Sequence, residues 1–152
     1  MFGRQKTGRR GFFSVPLRET GIGHFELTGV IGGQAAAILL DTGAASTVVD
    51  AEFARALGLH MSPLLEKAGG AGSARMDLWR LDAELIVAGR TVTPAAALYA
   101  MDLSHVASAL RLKGIEPPTA VLGADILIPR QAVIDYGARS LLLKEQIGAL
   151  AA

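Results

Sequence analysis

Apolar positions along this chain come in short runs, mostly with period two, separated by glycine-rich turns and by two stretches of helical spacing. Residues 12 to 17, Phe-Phe-Ser-Val-Pro-Leu, read as a first strand. His24 to Val30 alternates as a second, Gly32-Gly33 has the composition of a two-residue hairpin turn, and Gln34 to Leu40 returns as a third. Val48-Val49 is a further short run. From Asp50 the spacing changes, because Phe53 and Leu57 stand four apart on one helical face. Asp50 is a candidate N-cap for that helix and Gly58 its stop. Met76 to Leu81, Asp82 to Val87 and a hairpin from Val87 to Val92 restore strands. Asp102 to Lys113 is helical by Leu103, Val106 and Leu110 and ends near Gly114, and Pro117-Pro118 then stops regular structure.

The third strand ends in the strongest chemical candidate. Ala37-Ile38-Leu39-Leu40 drives into Asp41, and the chain turns through Thr42-Gly43-Ala44 before entering Ser46-Thr47-Val48-Val49. An apolar approach of this kind predicts a carboxylate at an internal strand end. Burying one is costly unless it is paired, hydrogen-bonded or protonated, so it usually has a task. Gly43 permits close backbone approach, and Thr42 supplies a short hydroxyl. A bare Asp-Thr-Gly occurs by chance in roughly 3% of chains this long, so the flanks carry the weight.

With those flanks, Leu-Leu-Asp-Thr-Gly-Ala and its Thr-Val-Val continuation resemble the catalytic loop of the retroviral-type (retropepsin-like) aspartic proteases. Ala120-Val121-Leu122-Gly123-Ala124-Asp125-Ile126-Leu127 is similar to that family's apolar-apolar-Gly segment and short helix. Val133-Ile134-Asp135-Tyr136 and Leu141-Leu142-Leu143 resemble the closing strands of its bacterial single-domain members. The resemblance implies an all-β, acid-protease (retropepsin-like) closed β-barrel-like fold with one or two inserted helices. It also implies catalytic roles for Asp41, Thr42 and Gly43, with Gly123 packed beside their loop. Substrate would be held by Ala44 and by a flap at Gly69, Gly70, Ala71 and Gly72, whose small residues let backbone meet backbone. Where retroviral members carry a paired Asp and Arg, this chain has Ala45 and Ala124. Both partners are missing together, so no charge is stranded, but a substrate-anchoring carboxylate is lost. Asp125 is read as a cap or helix-terminal acid and Asp135 as a turn acid.

Peptide hydrolysis by this chemistry needs two facing carboxylates that share one proton. The chain has one Asp-Thr-Gly and no second Asp-(Thr/Ser)-Gly, and 152 residues are too few for a duplicated two-lobed enzyme. The second Asp41 must therefore come from a second copy, which predicts a homodimer acting on a peptide or protein substrate. The apolar terminal segments, Phe12 to Leu17 and Leu141 to Leu143, are the expected sources of extra interface strands, or equally of core within one subunit. Phe12-Phe13, behind a basic arm, would also suit a self-cleavage site.

Composition narrows the alternatives. The length predicts one domain over residues 12–145, with 1–11 a disordered basic arm (Arg4, Lys6, Arg9, Arg10) and 146–152 a tail. A formal charge of +1 gives no argument for a nucleic-acid partner, and the absence of Cys excludes thiol chemistry. No apolar run has signal-peptide or membrane-spanning length, so no membrane partner and a cytoplasmic location are expected. His24, His60 and His105 lack metal-ligand spacing, so neither a metal nor an organic cofactor is expected, and a metal-dependent hydrolase is disfavoured. No dinucleotide, phosphate-loop or serine-hydrolase motif occurs. The rival from another class is a non-catalytic peptide-binding or dimerisation module on the same fold, in which Asp41 would have no required role.

Overall fold

The computed structural model describes residues 9–64 and 77–146. The expectations for the arm at 1–8, the flap at 69–72, Met76 and the tail at 147–152 lie outside those residues. The chain begins with β1 (Phe12–Pro16), β2 (Arg18–Glu19), β3 (Phe25–Ile31), β4 (Gln34–Leu40) and β5 (Val48–Asp50). Next come α1 (Ala51–Ala56), β6 (His60–Pro63), β7 (Leu78–Asp82), β8 (Leu85–Val87), β9 (Arg90–Thr91) and β10 (Leu98–Met101). The last third contributes α2 (Ser104–Leu112), β11 (Ala120–Leu122), α3 (Ala124–Leu127), β12 (Val133–Asp135) and β13 (Ser140–Lys144).

The turns form where the sequence places them. Ile31 and Gln34 close the β3–β4 hairpin across Gly32 and Gly33, at φ of 59° and 80°. Val87 and Arg90 close β8–β9 across Ala88-Gly89, also at positive φ. These are the mirror-image turns that match strand twist. The strands then assemble into a ten-stranded sheet in the order β6-β7-β10-β5-β11-β4-β3-β8-β9, with β2 beside β3, and a separate three-stranded sheet β1-β13-β12. Leu27, Ile31, Ile38, Leu85, Leu98, Leu122, Leu141 and Leu143 are completely buried or nearly so. Their branched aliphatic side chains fill the core with few aromatic rings.

The expected all-β closed barrel is not what forms. The fold is mixed α/β, with three helices among the described residues, and its large sheet is open, since the end strands β6 and β9 do not meet. The pairings β4–β11 and β5–β10 are parallel, and parallel neighbours require long crossovers rather than tight turns. Both α1 and α2 lie on those connections. Period-two patterning reports half-buried strands whether or not a sheet closes, so closure had no sequence signal.

Two smaller expectations also change. Asp50 occupies the N-cap position of α1 with extended backbone, but its side chain makes no cap bond there. Its Oδ1 instead accepts the Leu103 N–H at the start of α2, 3.2 Å away. The completely buried residues of α1 are Ala51 and Ala54, while Phe53 and Leu57 are half-buried. At the head of α2, Asp102 Oδ1 accepts the Ser104 N–H at 2.9 Å. This bond is the main cause holding the Asp102 carboxyl below the usual carboxylate range, helped by the Ser104 side chain. Asp135 behaves as expected, accepting the Ala138 N–H in the turn between β12 and β13.

Candidate active site

β4 delivers Asp41 to the middle of the large sheet, because β4 lies between β3 and β11. The strand is stopped by its partner: the Asp41 N–H donates to the Leu122 carbonyl at 3.1 Å, at the end of β11. The chain then turns tightly. The Ala44 N–H returns to the Asp41 carbonyl at 3.2 Å, and the Gly43 N–H donates to the Asp41 carboxylate oxygen Oδ1 at 2.9 Å. A Cβ on Gly43 would sit 3.3 Å from that same oxygen, so glycine leaves the carboxylate uncrowded while lending it a donor. Among the described residues no donor reaches Oδ2.

The carboxylate is less enclosed than its apolar approach predicts. Asp41 is half-buried, and Thr42 and Gly43 are exposed. The apolar run packs β4 into the core, but the loop itself emerges at the sheet surface. Ala44 follows it, half-buried.

A second loop, from β11 into α3, clamps the first. The Ala124 N–H donates to the Ala44 carbonyl at 2.8 Å, and the Asp125 N–H to the Ala45 carbonyl at 3.2 Å. Backbone bonds thus join the two segments in which the family resemblance would place a charged side-chain pair. Gly123 fits against this loop as expected: an added Cβ would lie 2.6 Å from the Ala44 carbonyl oxygen and 2.9 Å from that of Ser46. Both are backbone atoms, so neither can swing away.

The joint is completed by a residue that sequence reasoning did not single out. Thr47 is completely buried, and its Oγ1 donates to Asp125 Oδ1 at 2.6 Å. Its backbone N–H reaches both Asp125 carboxylate oxygens at 2.9 Å, and Oγ1 accepts the Gly123 N–H at 3.0 Å. Asp125 is in the first turn of α3, as its reading as a helix-terminal acid expected, yet its side chain serves the Asp41 loop rather than the helix. The one available signal was a hydroxyl residue leading directly into the Val48-Val49 run.

Gly69, Gly70, Ala71 and Gly72 lie outside the described residues, so of the expected site residues the structure brings together Asp41, Thr42, Gly43 and Ala44. Among the described residues no group of three or more His, Asp or Glu side chains could hold a metal ion. No helix among them is long and apolar enough to cross a membrane.

This architecture is shared with solved structures at low sequence identity. The crystal structure of a retropepsin-like aspartic protease from Rickettsia conorii superposes with a TM-score of 0.55 at 15% identity, covering 89% of this chain and 91% of that one. The retroviral protease-like domain of Ddi1 from Leishmania major gives 0.52 at 16% identity, with coverage of 78% and 86%. EIAV protease, complexed with the inhibitor HBY-793, gives 0.53 at 18% identity, with coverage of 78% and 98%. The fold is therefore retropepsin-like. A family profile described as aspartyl protease matches residues 27–126, which include both clamped loops, and the chain belongs to that family. No curated protein matches it.

Proposed function

We propose that the chain is an aspartic endopeptidase that works as a homodimer, with the Asp41 side chains of two copies forming one catalytic pair. The observation that supports this best is the setting of Asp41. Its carboxylate stands at the surface end of a central strand, with one oxygen held by the Gly43 N–H and the loop clamped from behind by Gly123, Thr47 and Asp125. A group so fixed yet accessible is suited to act on water rather than to hold the fold together.

In the paired state one carboxylate removes a proton from water, whose oxygen attacks the peptide carbonyl carbon. The other carboxylic acid gives its proton to the carbonyl oxygen. The resulting tetrahedral species then collapses: one hydroxyl returns its proton to the pair as the carbonyl re-forms, the C–N bond breaks, and the amine nitrogen takes up a proton from the pair. Thr42 of each copy would brace the two loops against one another. Gly43 and Ala44 would meet the substrate backbone, and Gly69, Gly70, Ala71 and Gly72 would cover it.

The test is Asp41→Asn, which keeps the shape of the side chain but removes the base. Peptidase activity on a mixed peptide library should vanish, with circular dichroism and sedimentation unchanged. Wild-type activity should survive a chelator and pass through a maximum on the acid side of neutral, since the working pair carries one proton. Comparable cleavage by the Asn variant, or a rate rising steadily through neutral into alkaline pH, would overturn the reading.

A further inference from the structure

We propose that Arg80 selects peptides carrying an acidic side chain about four to six residues from the bond to be cut, a substrate class that rests on the peptidase reading above. In β5, β7 and β10 of the large sheet one face is covered and the other open. Thr47, Val49, Leu81, Leu98 and Ala100 are completely buried or nearly so. Between them Val48, Tyr99 and Met101 are half-buried, and Arg80 and Asp82 are exposed. Alternate residues of a strand point to opposite faces, so Val48, Tyr99 and Arg80 share the open one. Helix α1 packs on the other, where the Arg55 guanidinium lies 5.0 Å from the centre of the Trp79 ring.

The register lines these residues up in one row that starts beside the candidate site. Leu39, two residues before Asp41, is opposite Val121, which is opposite Val48. Val48 is opposite Tyr99, Tyr99 opposite Arg80, and Arg80 opposite Ser62. Residues opposite one another across a strand pair share a face. The row is therefore apolar near Asp41 and turns polar at Tyr99, Arg80 and Ser62. It ends in a hollow of about 360 Å³ lined by His60, Ser62, Arg80, Asp82 and the segment 93–97. Neighbouring strands lie about 4.8 Å apart, so the four steps from β4 to β7 span about 19 Å. An extended peptide rises about 3.3 Å per residue, and with the reach of two side chains this span corresponds to about four to six residues.

The chemistry of the occupant follows from the charge that lies open there. Among the described residues Arg80 forms no ion pair. Asp82, the next acid on its strand and face, is opposite His60 instead. Asp50, on the same face of β5, is engaged by the Leu103 N–H. The cross-strand neighbours of Arg80 are both neutral hydroxyl groups, Ser62 on one side and Tyr99 on the other. Ser62 Oγ lies 3.3 Å from His60 Nε2. A guanidinium fork flanked by two hydroxyls matches a carboxylate, which accepts two bonds from the fork and a further one from a hydroxyl. A basic side chain at the same place would meet a like charge.

The test is a peptide series with one cleavable core and Glu, Gln or Lys placed in turn at each position out to about six residues on either side of the bond. At one position in the expected range, wild type should show kcat/KM about fivefold higher for Glu than for Gln, with Lys lowest. Arg80→Gln should bring the Glu-to-Gln ratio to about one. Arg80→Glu should reverse the preference in favour of Lys, which a folding defect cannot do. Arg111→Gln, at an exposed cation of α2, should keep the wild-type ratio. Fluorescence anisotropy of the same labelled peptides on Asp41→Asn protein reads the subsite without cleavage, and the same order of affinities is expected. Equal handling of Glu, Gln and Lys at every position, or a Glu preference that survives Arg80→Gln, would overturn the subsite and leave the Asp41 pair standing. No cleavage of any peptide by wild type, with the Glu preference kept in binding, would instead sink the peptidase reading and leave Arg80 as a peptide-binding residue.

Discussion

At Thr47 one hydroxyl is used twice, giving its proton to Asp125 and taking one from the Gly123 backbone. Thr47→Val keeps the shape and removes both bonds, leaving a buried N–H and a carboxylate oxygen short of a partner. The expected loss is about 1–3 kcal/mol, read as a lower urea midpoint, with peptidase activity falling as the Asp41 loop loosens. Thr47→Ser should recover most of both. An unchanged midpoint in the Val variant would mean that the hydroxyl does not hold the loop. Asp41 was legible because its apolar approach and the following Thr-Gly are contiguous. The Thr47–Asp125 joint was not, since 78 positions separate its ends and neither residue stands out among its neighbours. Gly123 was expected beside the catalytic loop only through the family resemblance; the close approach of Ala44 and Ser46 gives that placement its physical reason.

The strands that could be read in advance were those bounded by glycine turns or carrying β-branched runs, as with β3, β4 and β5. β6 and β10 had no such marks: His-Met-Ser-Pro and Leu-Tyr-Ala-Met are strands through their partners, β7 for both and β5 for β10. Helix α1 was placed correctly, but the pull of Phe53 and Leu57 hid its true core face at Ala51 and Ala54. The element with the clearest consequence is β1. Phe12 and Phe13 pair with Lys144 and Leu143, and Phe13 is buried, whereas a protease cleft takes a peptide in free extended form. The Phe12–Phe13 bond should therefore stay intact in the folded protein. Mass spectrometry after prolonged incubation at active concentration is expected to find no fragment beginning at Phe13. A fragment accumulating to the level of the whole chain would show that β1 leaves β13 under native conditions.

For the whole molecule, retropepsin-like architecture was readable from two motifs in the right order, and the openness of the sheet was not. The order β6 to β9, with its parallel pairs, is a property of how distant strands find one another, and alternation along one strand is silent about it. The same long-range assembly makes β4 central and holds Asp41 at its end, between segments from both halves of the chain. What a single chain lacks is a second Asp-Thr-Gly, which the proposed mechanism needs. The central claim is thus a count of two Asp41 side chains per working site, and mixing chains tests it most directly. Wild-type protein held at fixed concentration is equilibrated with increasing Asp41→Asn chains, and peptidase activity is measured per wild-type chain. Random pairing predicts a fall to about half at equal amounts and to about a quarter at threefold excess, because mixed dimers carry only one carboxylate. Activity per wild-type chain that stays constant across the series would contradict the claim.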